Sequence, residues 1–306
     1  MSKDKYIIRS MSKISHKPWE LFILSRIIHE LQGHDIEFIC QQFVRGEGGY
    51  RYMTDIYFPQ FSLHLEVDEP HHNAKINKDK DAARSRDIID ATGHDIVRIS
   101  VCDSNSEGRS VELPIASVNK KVDAFIDRLF KEMANQKTEG TFKPWDFENR
   151  FSPDVYIKRG TLDVVDEPAF RTHRDALRCF GYRGGHFQQA VWAVPHCPDG
   201  SVIWFPRFYE NDRWSNSISA DGQEIVEEPK SEEEFFRYAS SRGYQRQKRR
   251  IVFARYKDSL DVLLYRYLGV FMLDETKQDG WKRTFRRSAT RVALPMSEGA
   301  AWAKAE

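Results

Sequence analysis

The spacing of apolar residues divides the chain into elements. Leu21, Leu24, Ile27, Ile28 and Leu31 recur at helical intervals between Pro18, which suits a first helical turn, and Gly33, which suits a stop. Residues 38 to 44 and 52 to 58 read as strands joined by the flexible turn GEGG at 46 to 49. From Leu63 the period falls to two. Leu63, Leu65 and Val67 point one way and His64, Glu66 and Asp68 the other, which predicts an amphipathic strand with a polar face. Pro59 and Gln60 suit a short connection, so a hairpin joins this strand to the one before it. A helix with Ala82, Ala83, Ile88 and Ile89 toward the core is stopped by Gly93, and Ile96, Val97, Ile99 and Val101 make a buried strand. A further helix lies within 111 to 133, its inner face formed by Val118, Val122, Phe125, Ile126, Leu129 and Phe130, and the polar segment ANQKTEGT follows as a linker.

This order predicts an α/β domain over residues 1 to 138, a mixed sheet flanked by helices. Residues 139 to 306 read as a second, β-rich α+β domain, with strands at 191 to 194, 201 to 205, 251 to 255 and 268 to 273. SADGQEI at 219 to 225 offers a tight hairpin turn, and Ser231 followed by acids offers a helix start.

Composition narrows the setting. At 306 residues the chain has room for two cores, and 40% hydrophobic with 13% aromatic content suits a globular protein. The net charge of +1 means that nucleic-acid binding has to be argued from where the charges lie. Cys40, Cys102, Cys179 and Cys197 are far apart and suggest neither a disulfide framework nor a zinc ribbon, which points to a reduced, cytoplasmic setting. No apolar run approaches the roughly twenty residues of a membrane span.

The hairpin brings Asp55 beside Glu66 and Asp68. Converging carboxylates repel and are costly to desolvate, so a hard cation such as Mg2+ is expected among them, with Mn2+ able to substitute. A cation so held lowers the pKa of bound water and neutralises a phosphate, the requirements of phosphodiester hydrolysis. Asp55 and Glu66 are assigned as metal ligands, Asp68 as a third ligand or as the group that orients the water, and His71 or His72 as acid or base. Acidic strand ends before Pro are also common at solvated turns, and that reading stands beside the catalytic one. The letters His71, His72 and Asn73 suggest an HNH nuclease as well, but no second metal-binding His follows on a helix.

The spacing Asp55-x10-Glu66-x-Asp68 resembles the metal-binding core of the PD-(D/E)xK nuclease superfamily, with Asp68 where that motif has Lys and Thr54 where it has Pro. Asp55, Ile56, Phe58 and Pro59, then Val67 and Asp68, then His71 and His72, are similar to the very-short-patch repair (Vsr-like) branch. With a second domain downstream, the chain resembles the AbaSI-type modification-dependent restriction endonucleases, in which a Vsr-like nuclease precedes an SRA-like domain. That resemblance implies a homodimer that flips 5-hydroxymethylcytosine, plain or glucosylated, out of double-stranded DNA. It also implies a double-strand cut at a distance on the 3' side and a role in restricting phages with modified DNA. A helix-borne acid reaches the metal in such nucleases, and Glu20 resembles it; an early-turn Glu equally complements the helix dipole. A repair endonuclease that nicks at mismatches or lesions, and an inactive reader of modified bases, fit the same pattern.

A flipped base needs an aromatic face and hydrogen-bonding partners for its edge, which Trp204, Tyr209, Trp214 and Asn216 offer, with Asn211 and Asp212 in reserve. Between Arg237 and Arg291 fifteen Lys or Arg stand against five Asp or Glu, so Lys248, Arg249, Arg250, Lys282 and Arg283 are expected on phosphates. Seven acids between Asp221 and Glu234 predict that DNA meets one side of this domain and avoids the other.

Overall fold

The computed structural model describes residues 2–69, 75–104, 110–147, 149–195, 197, 199–239, 248–277 and 279–295. Two compact units are present, Met1–Glu148 with Asp258–Asp261, and Asn149–Lys257 with Val262–Glu306.

The first unit runs α1 (Lys3–Lys13), α2 (Pro18–Glu30), β1 (Ile39–Arg45), β2 (Arg51–Phe58), β3 (Leu63–Asp68), α3 (Lys75–Thr92), β4 (Asp95–Ser100), β5 (Cys102–Ser104), β6 (Ser110–Glu112) and α4 (Ile115–Glu139). Its main sheet has the order β1-β2-β3-β4, with β1, β2 and β3 antiparallel in turn and β4 parallel to β3. The apolar stripes of α2 (Ile23, Leu24, Ile27) and α4 (Val118, Val122, Phe125, Leu129) close over Ile56, Phe58, Leu63, Leu65 and Val67. That burial is the main source of the unit's stability, at roughly 2 kcal/mol for each fully buried aliphatic side chain.

Four expectations change. The amphipathic reading of β3 is half right: its second face is also covered, His64 by Tyr57 and His94 and Glu66 by Arg84 and Arg98. His64 is fully buried on that face, with Nδ1 2.8 Å from Thr54 Oγ1, Nε2 3.1 Å from His94 Nδ1 and its ring stacked on Tyr57. Burial, with the nearby His94, pushes its pKa down to about 3, so the imidazole is neutral. In α3 only Ile88 of the four expected core residues is buried, while Ala82, Ala83 and Ile89 face solvent. The inward face of that helix carries Arg84 to the sheet's carboxylates, which sets the helix phase against the apolar pattern.

The linker segment does not begin at Ala134, since α4 continues to Glu139 and stops at Gly140 in the left-handed conformation. The chain then returns to the first unit. Trp145 is buried against Tyr6 and Phe38, and its backbone N–H reaches Asp35 O at 2.6 Å, which carries the first unit to residue 148. Helix α1 was not foreseen, although Ser2 caps it and Tyr6, Ile7, Ser10 and Ile14 recur at helical intervals on its inner face.

The second unit runs α5 (Asp154–Arg159), β7 (Thr161–Asp163), β8 (Ala169–Phe170), α6 (His173–Arg178), β9 (Val191–Ala193), β10 (Val202–Trp204), β11 (Trp214–Ile218), β12 (Glu224–Pro229), α7 (Glu232–Ala239), β13 (Arg249–Lys257), β14 (Leu263–Leu273), β15 (Arg283–Ala289) and β16 (Arg291–Ala293). An eight-stranded sheet has the order β11-β12-β15-β14-β13-β10-β9, with β8 on β14. Ile203, Ile251, Phe253, Tyr265 and Tyr267 pack on one side of it, and Trp204, Ile225, Val252, Phe271 and Phe285 on the other. The β11–β12 turn closes as its residues predict, with Gly222 at positive φ and Ser219 bonded to Asp221. The Ser231 hydroxyl accepts the Glu234 N–H and so caps α7. No helix among the described residues is long and apolar enough to cross a membrane.

Candidate active site

Ile56 faces Leu65 and Tyr57 faces His64 across β2 and β3, and this register brings Asp55 and Glu66 into one pocket. The pocket, of about 270 Å³, is also lined by Lys17, Glu20, Gln41, Asp68, Arg84 and Arg98. Asp55 Oδ2 accepts the Val67 backbone N–H at 2.8 Å, and its Oδ1 lies 3.6 Å from Lys17 Nζ and 3.5 Å from Gln41 Nε2. Glu20, buried on the first turn of α2, is bonded to Lys17 and accepts Gln41 Nε2 at 2.8 Å. Gln41 has φ +55° inside β1, a conformation that costs a non-glycine residue energy and that directs its amide at both acids.

Glu66 is buried and holds two guanidiniums, Arg84 Nη2 at 2.9 Å on Oε1 and Arg98 Nη2 at 3.0 Å on Oε2. Arg98 Nη1 also reaches Asp68 Oδ1 at 2.7 Å, so one guanidinium spans two carboxylates that sit two residues apart on β3.

The electrostatics follow from burial and crowding. Burial, and next the charge of Asp55, push Glu20 up to about 7 against the opposing pull of Lys17. Burial raises Glu66 as well; Arg84 and Arg98 oppose it, and Asp55 and Asp68 add to it. Burial would lower Lys17, yet its bond to Glu20 and the field of Asp55 outweigh that and hold it above its usual range.

Asp55, Glu66 and Glu20 present hard oxygen donors to one pocket, the kind of donor that Mg2+ takes. Asp55 and Glu66 would hold such an ion, with Glu20 within reach, since Mg2+ commonly takes one or two carboxylates and keeps several waters. Among the described residues no three metal-binding side chains form a ready ligand set. Arg84 and Arg98 sit on the two oxygens of Glu66, and Lys17 and Gln41 on those of Glu20. Asp68 lines the same pocket and shares the Arg98 guanidinium with Glu66. His71 and His72 lie outside the described residues.

Sequence reasoning missed Lys17, Gln41 and the pocket role of Arg98. An Arg inside the otherwise apolar run Ile96 to Ile99 was a readable signal for the last, and Lys17 stands three residues before Glu20. Nothing in the sequence marked Gln41.

The residues expected on DNA divide differently. Trp204 is a core residue, 5.5 Å from Phe285 and 4.3 Å beneath the Arg250 guanidinium. Arg250 and Arg283 are buried too. Arg250 Nη1 lies 3.0 Å from Glu227 Oε2, and Tyr238 Oη accepts Arg250 Nη2 at 2.7 Å and Arg283 Nη1 at 3.2 Å. Neither arginine can meet a phosphate, because each is sealed under the fold to balance Glu227. Lys248 pairs with Glu275, Arg249 with Asp199 at 2.8 Å and Lys282 with Glu228 at 3.5 Å.

The acid-rich and base-rich runs do not occupy opposite sides either. β12 lies directly beside β15, so Glu224, Glu227 and Glu228 meet Arg286, Arg283 and Lys282. Tyr209 is partly exposed and its hydroxyl accepts Arg255 Nη1 at 3.2 Å. Trp214 stands edge-on to Tyr238 at 5.0 Å, and Asn216 lies opposite Glu227 and donates to Arg207 O at 3.3 Å. Asn211 accepts the backbone N–H groups of Arg213 and Trp214 and so shapes the approach to β11; Asp212 lies in the same exposed loop.

Comparison with known proteins matches both halves. Residues 4–127 fit the family of PvuRts1 I-like restriction endonuclease N-terminal regions, and residues 155–294 fit the SET and RING associated (SRA) domain. The solved structure of the 5-hydroxymethylcytosine-specific restriction enzyme AbaSI is similar at 31% identity and TM-score 0.64, covering 95% of this chain and 97% of that one. A search of curated proteins gave no match. A shared fold and 31% identity along nearly the whole of both chains leave one conclusion: this chain belongs to the AbaSI-type modification-dependent restriction endonucleases, an N-terminal nuclease domain followed by an SRA domain.

Proposed function

We propose that the protein is a Mg2+-dependent endonuclease of the PD-(D/E)xK type that cuts double-stranded DNA containing 5-hydroxymethylcytosine, plain or glucosylated. The observation that carries this reading is the shared pocket of Asp55, Glu66 and Glu20 in a chain of this family. A divalent cation, when bound, supplies a water of lowered pKa and screens the phosphate.

The chain's own groups do the rest. Asp55 and Glu66 would hold the cation, with Asp55 oriented by the Val67 N–H. Glu20, with a pKa of about 7, is suited to take the proton of the attacking water near neutral pH. Lys17 places an ammonium beside Asp55, where it steadies the water and the charge gathering on the phosphate, the work of the Lys that Asp68 replaces. His71 and His72 remain proposed for protonating the leaving 3' oxygen. In the SRA unit the partly exposed Trp214 and Asn216, beside Tyr238, are proposed to stack and hydrogen-bond a flipped base, with Tyr209 further along the same segment. One pocket cuts one strand, so a double-strand break on the 3' side requires two copies, a homodimer. The setting is the cytoplasm, and the role is restriction of phages with modified DNA.

Matched duplexes with cytosine, methylcytosine, hydroxymethylcytosine or glucosylated hydroxymethylcytosine, incubated with Mg2+, test the reading. Cutting confined to the last two is expected, and Asp55→Ala should remove cutting and keep binding. Cutting of all four alike, or only nicks at mismatches, would overturn the substrate assignment. Cleavage that persists in the Asp55→Ala protein would overturn the site.

A further inference from the structure

The cations that stand out in the sequence of the second unit are matched by acids, which directs attention to arginines that are not. Arg207 and Arg255 lie directly opposite one another in a parallel bridge. The pairing is fixed by Phe208 N–H to Arg255 O at 3.1 Å and Arg255 N–H to Pro206 O at 2.7 Å. Like charges directly opposite on adjacent strands destabilise a sheet. Yet neither arginine makes an ion pair among the described residues, in contrast to Arg249, Arg250, Lys282, Arg283 and Arg286.

Their surroundings are also short of acid. Arg255 donates to the Tyr209 hydroxyl and lies 5.3 Å from the Tyr265 ring, which is itself 4.3 Å from His173. The charged groups acting on His173 are Arg255, Arg207 and His186, and no carboxylate is among them. Those acting on Tyr265 are Arg255, Tyr209 and Arg207, again without a carboxylate. Burial first, and then both arginines, drive the His173 pKa down to about 4, so the two guanidinium fields overlap at one place. Arg207 is exposed and Arg255 half-buried, which leaves the pair open to a partner from solvent.

We infer that Arg207 and Arg255, with the Tyr209 hydroxyl, form a binding site for one phosphate oxyanion, supplied by a phosphodiester of the DNA backbone. Two guanidiniums held side by side suit the oxygens of a phosphate, and an anion between them turns the repulsion of the pair into attraction. The role is positional: the site fixes the SRA unit on the duplex and carries no sequence or modification preference. It rests on the proposed DNA-binding function and not on which base is read.

The test uses the full chain without divalent cation, so that nothing is cut. Binding of modified and unmodified duplexes is measured by fluorescence anisotropy at several salt concentrations for wild type and for the Arg207→Gln/Arg255→Gln double variant. Loss of one phosphate contact should lower the slope of log K against log salt by about 0.9 and weaken both duplexes by the same factor. Melting temperature separates this from a structural role. Relief of an unmatched like-charge pair leaves it unchanged or raises it at low salt, whereas loss of a structural contact lowers it. A second arm compares inorganic phosphate with chloride at equal ionic strength. Stabilisation of wild type but not of the variant by phosphate, with unchanged DNA binding, would keep the oxyanion site and assign it to free phosphate. An unchanged salt slope together with an unchanged response to phosphate would overturn the inference. A wild type that binds modified and unmodified duplexes equally would instead count against the modified-base reading, while the slope comparison would still decide the phosphate site.

Discussion

Lys17 and Glu20 sit three residues apart at the start of α2 and meet Asp55 in the same pocket, where Asp55 raises the Glu20 pKa and Lys17 opposes it. Replacing Lys17 by Met should lower the single-turnover cleavage rate about 100-fold, in the range usual for losing a positioned charge at the reacting centre, with DNA affinity unchanged. An unchanged cleavage rate in the Lys17→Met protein would remove Lys17 from the reacting centre. Glu20 also leaves a signature in stability. Its folded pKa of about 7 exceeds the ordinary 4.5, so the folded state keeps a proton that the unfolded state releases between those values. The advantage is complete below pH 4.5 and is lost as pH rises to 7, at about 1.4 kcal/mol per pH unit. In calorimetric scans without divalent cation, Glu20→Gln should remove this decline and melt above wild type at pH 8. At this scale the sequence exposed the carboxylates through their spacing on β3. It did not expose Lys17 or Gln41, whose relation to Asp55 exists only once α2, β1 and β2 are assembled.

Strands β12 and β13 are separated by β15 and β14, which in a flat sheet would hold them about 14 Å apart. Glu227 and Arg250 nevertheless meet at 3.0 Å over Phe285, their long side chains reaching across the two strands between them. Removing one partner of a buried pair leaves the other charge without compensation. Glu227→Ala should cost about 3 kcal/mol, read as a lower midpoint in denaturant, and a joint Arg250→Met/Arg283→Met/Glu227→Leu change, which removes all three charges, should restore most of it. Helix α6 gives a second test through His173, packed 4.4 Å from Phe205 with its pKa depressed to about 4. A depressed histidine contributes stability that is present above its ordinary pKa of 6.5 and is lost as pH falls toward 4. His173→Phe should flatten that acid limb of the melting curve. The β11–β12 hairpin and α2 were legible because turn residues and a local period specify them. The phase of α3 was not, because the partner of Arg84 is a carboxylate on a strand, Glu66.

Across the whole molecule, acid and base runs that look separate along the chain lie on neighbouring strands and cancel, in keeping with a net charge of +1. Among the described residues, Arg207 and Arg255 carry positive charge that no acid offsets in this way. If two copies each supply one pocket, the rate of double-strand cleavage at low enzyme should rise with the square of protein concentration, while nicking rises in proportion. Cleavage kinetics alongside sedimentation would show this, and a first-order dependence on enzyme for both products would remove the need for a second copy.

The amino-acid pattern alone determined that an acid-bearing hairpin lies in an α/β half, that a β-rich half follows it, and which strand holds Glu66 and Asp68. These rest on periods of two and 3.6 and on turn residues, which act over a few positions. Tertiary structure decided that Asp68 turns to Arg98, that Lys17 and Gln41 face Asp55, that Trp204, Arg250 and Arg283 are interior, and that Arg207 stands beside Arg255. The physical reason is that a charge is defined by its nearest partner, and here the nearest partners are brought together by sheet order from distant positions, as Glu66 meets Arg98, 32 residues on.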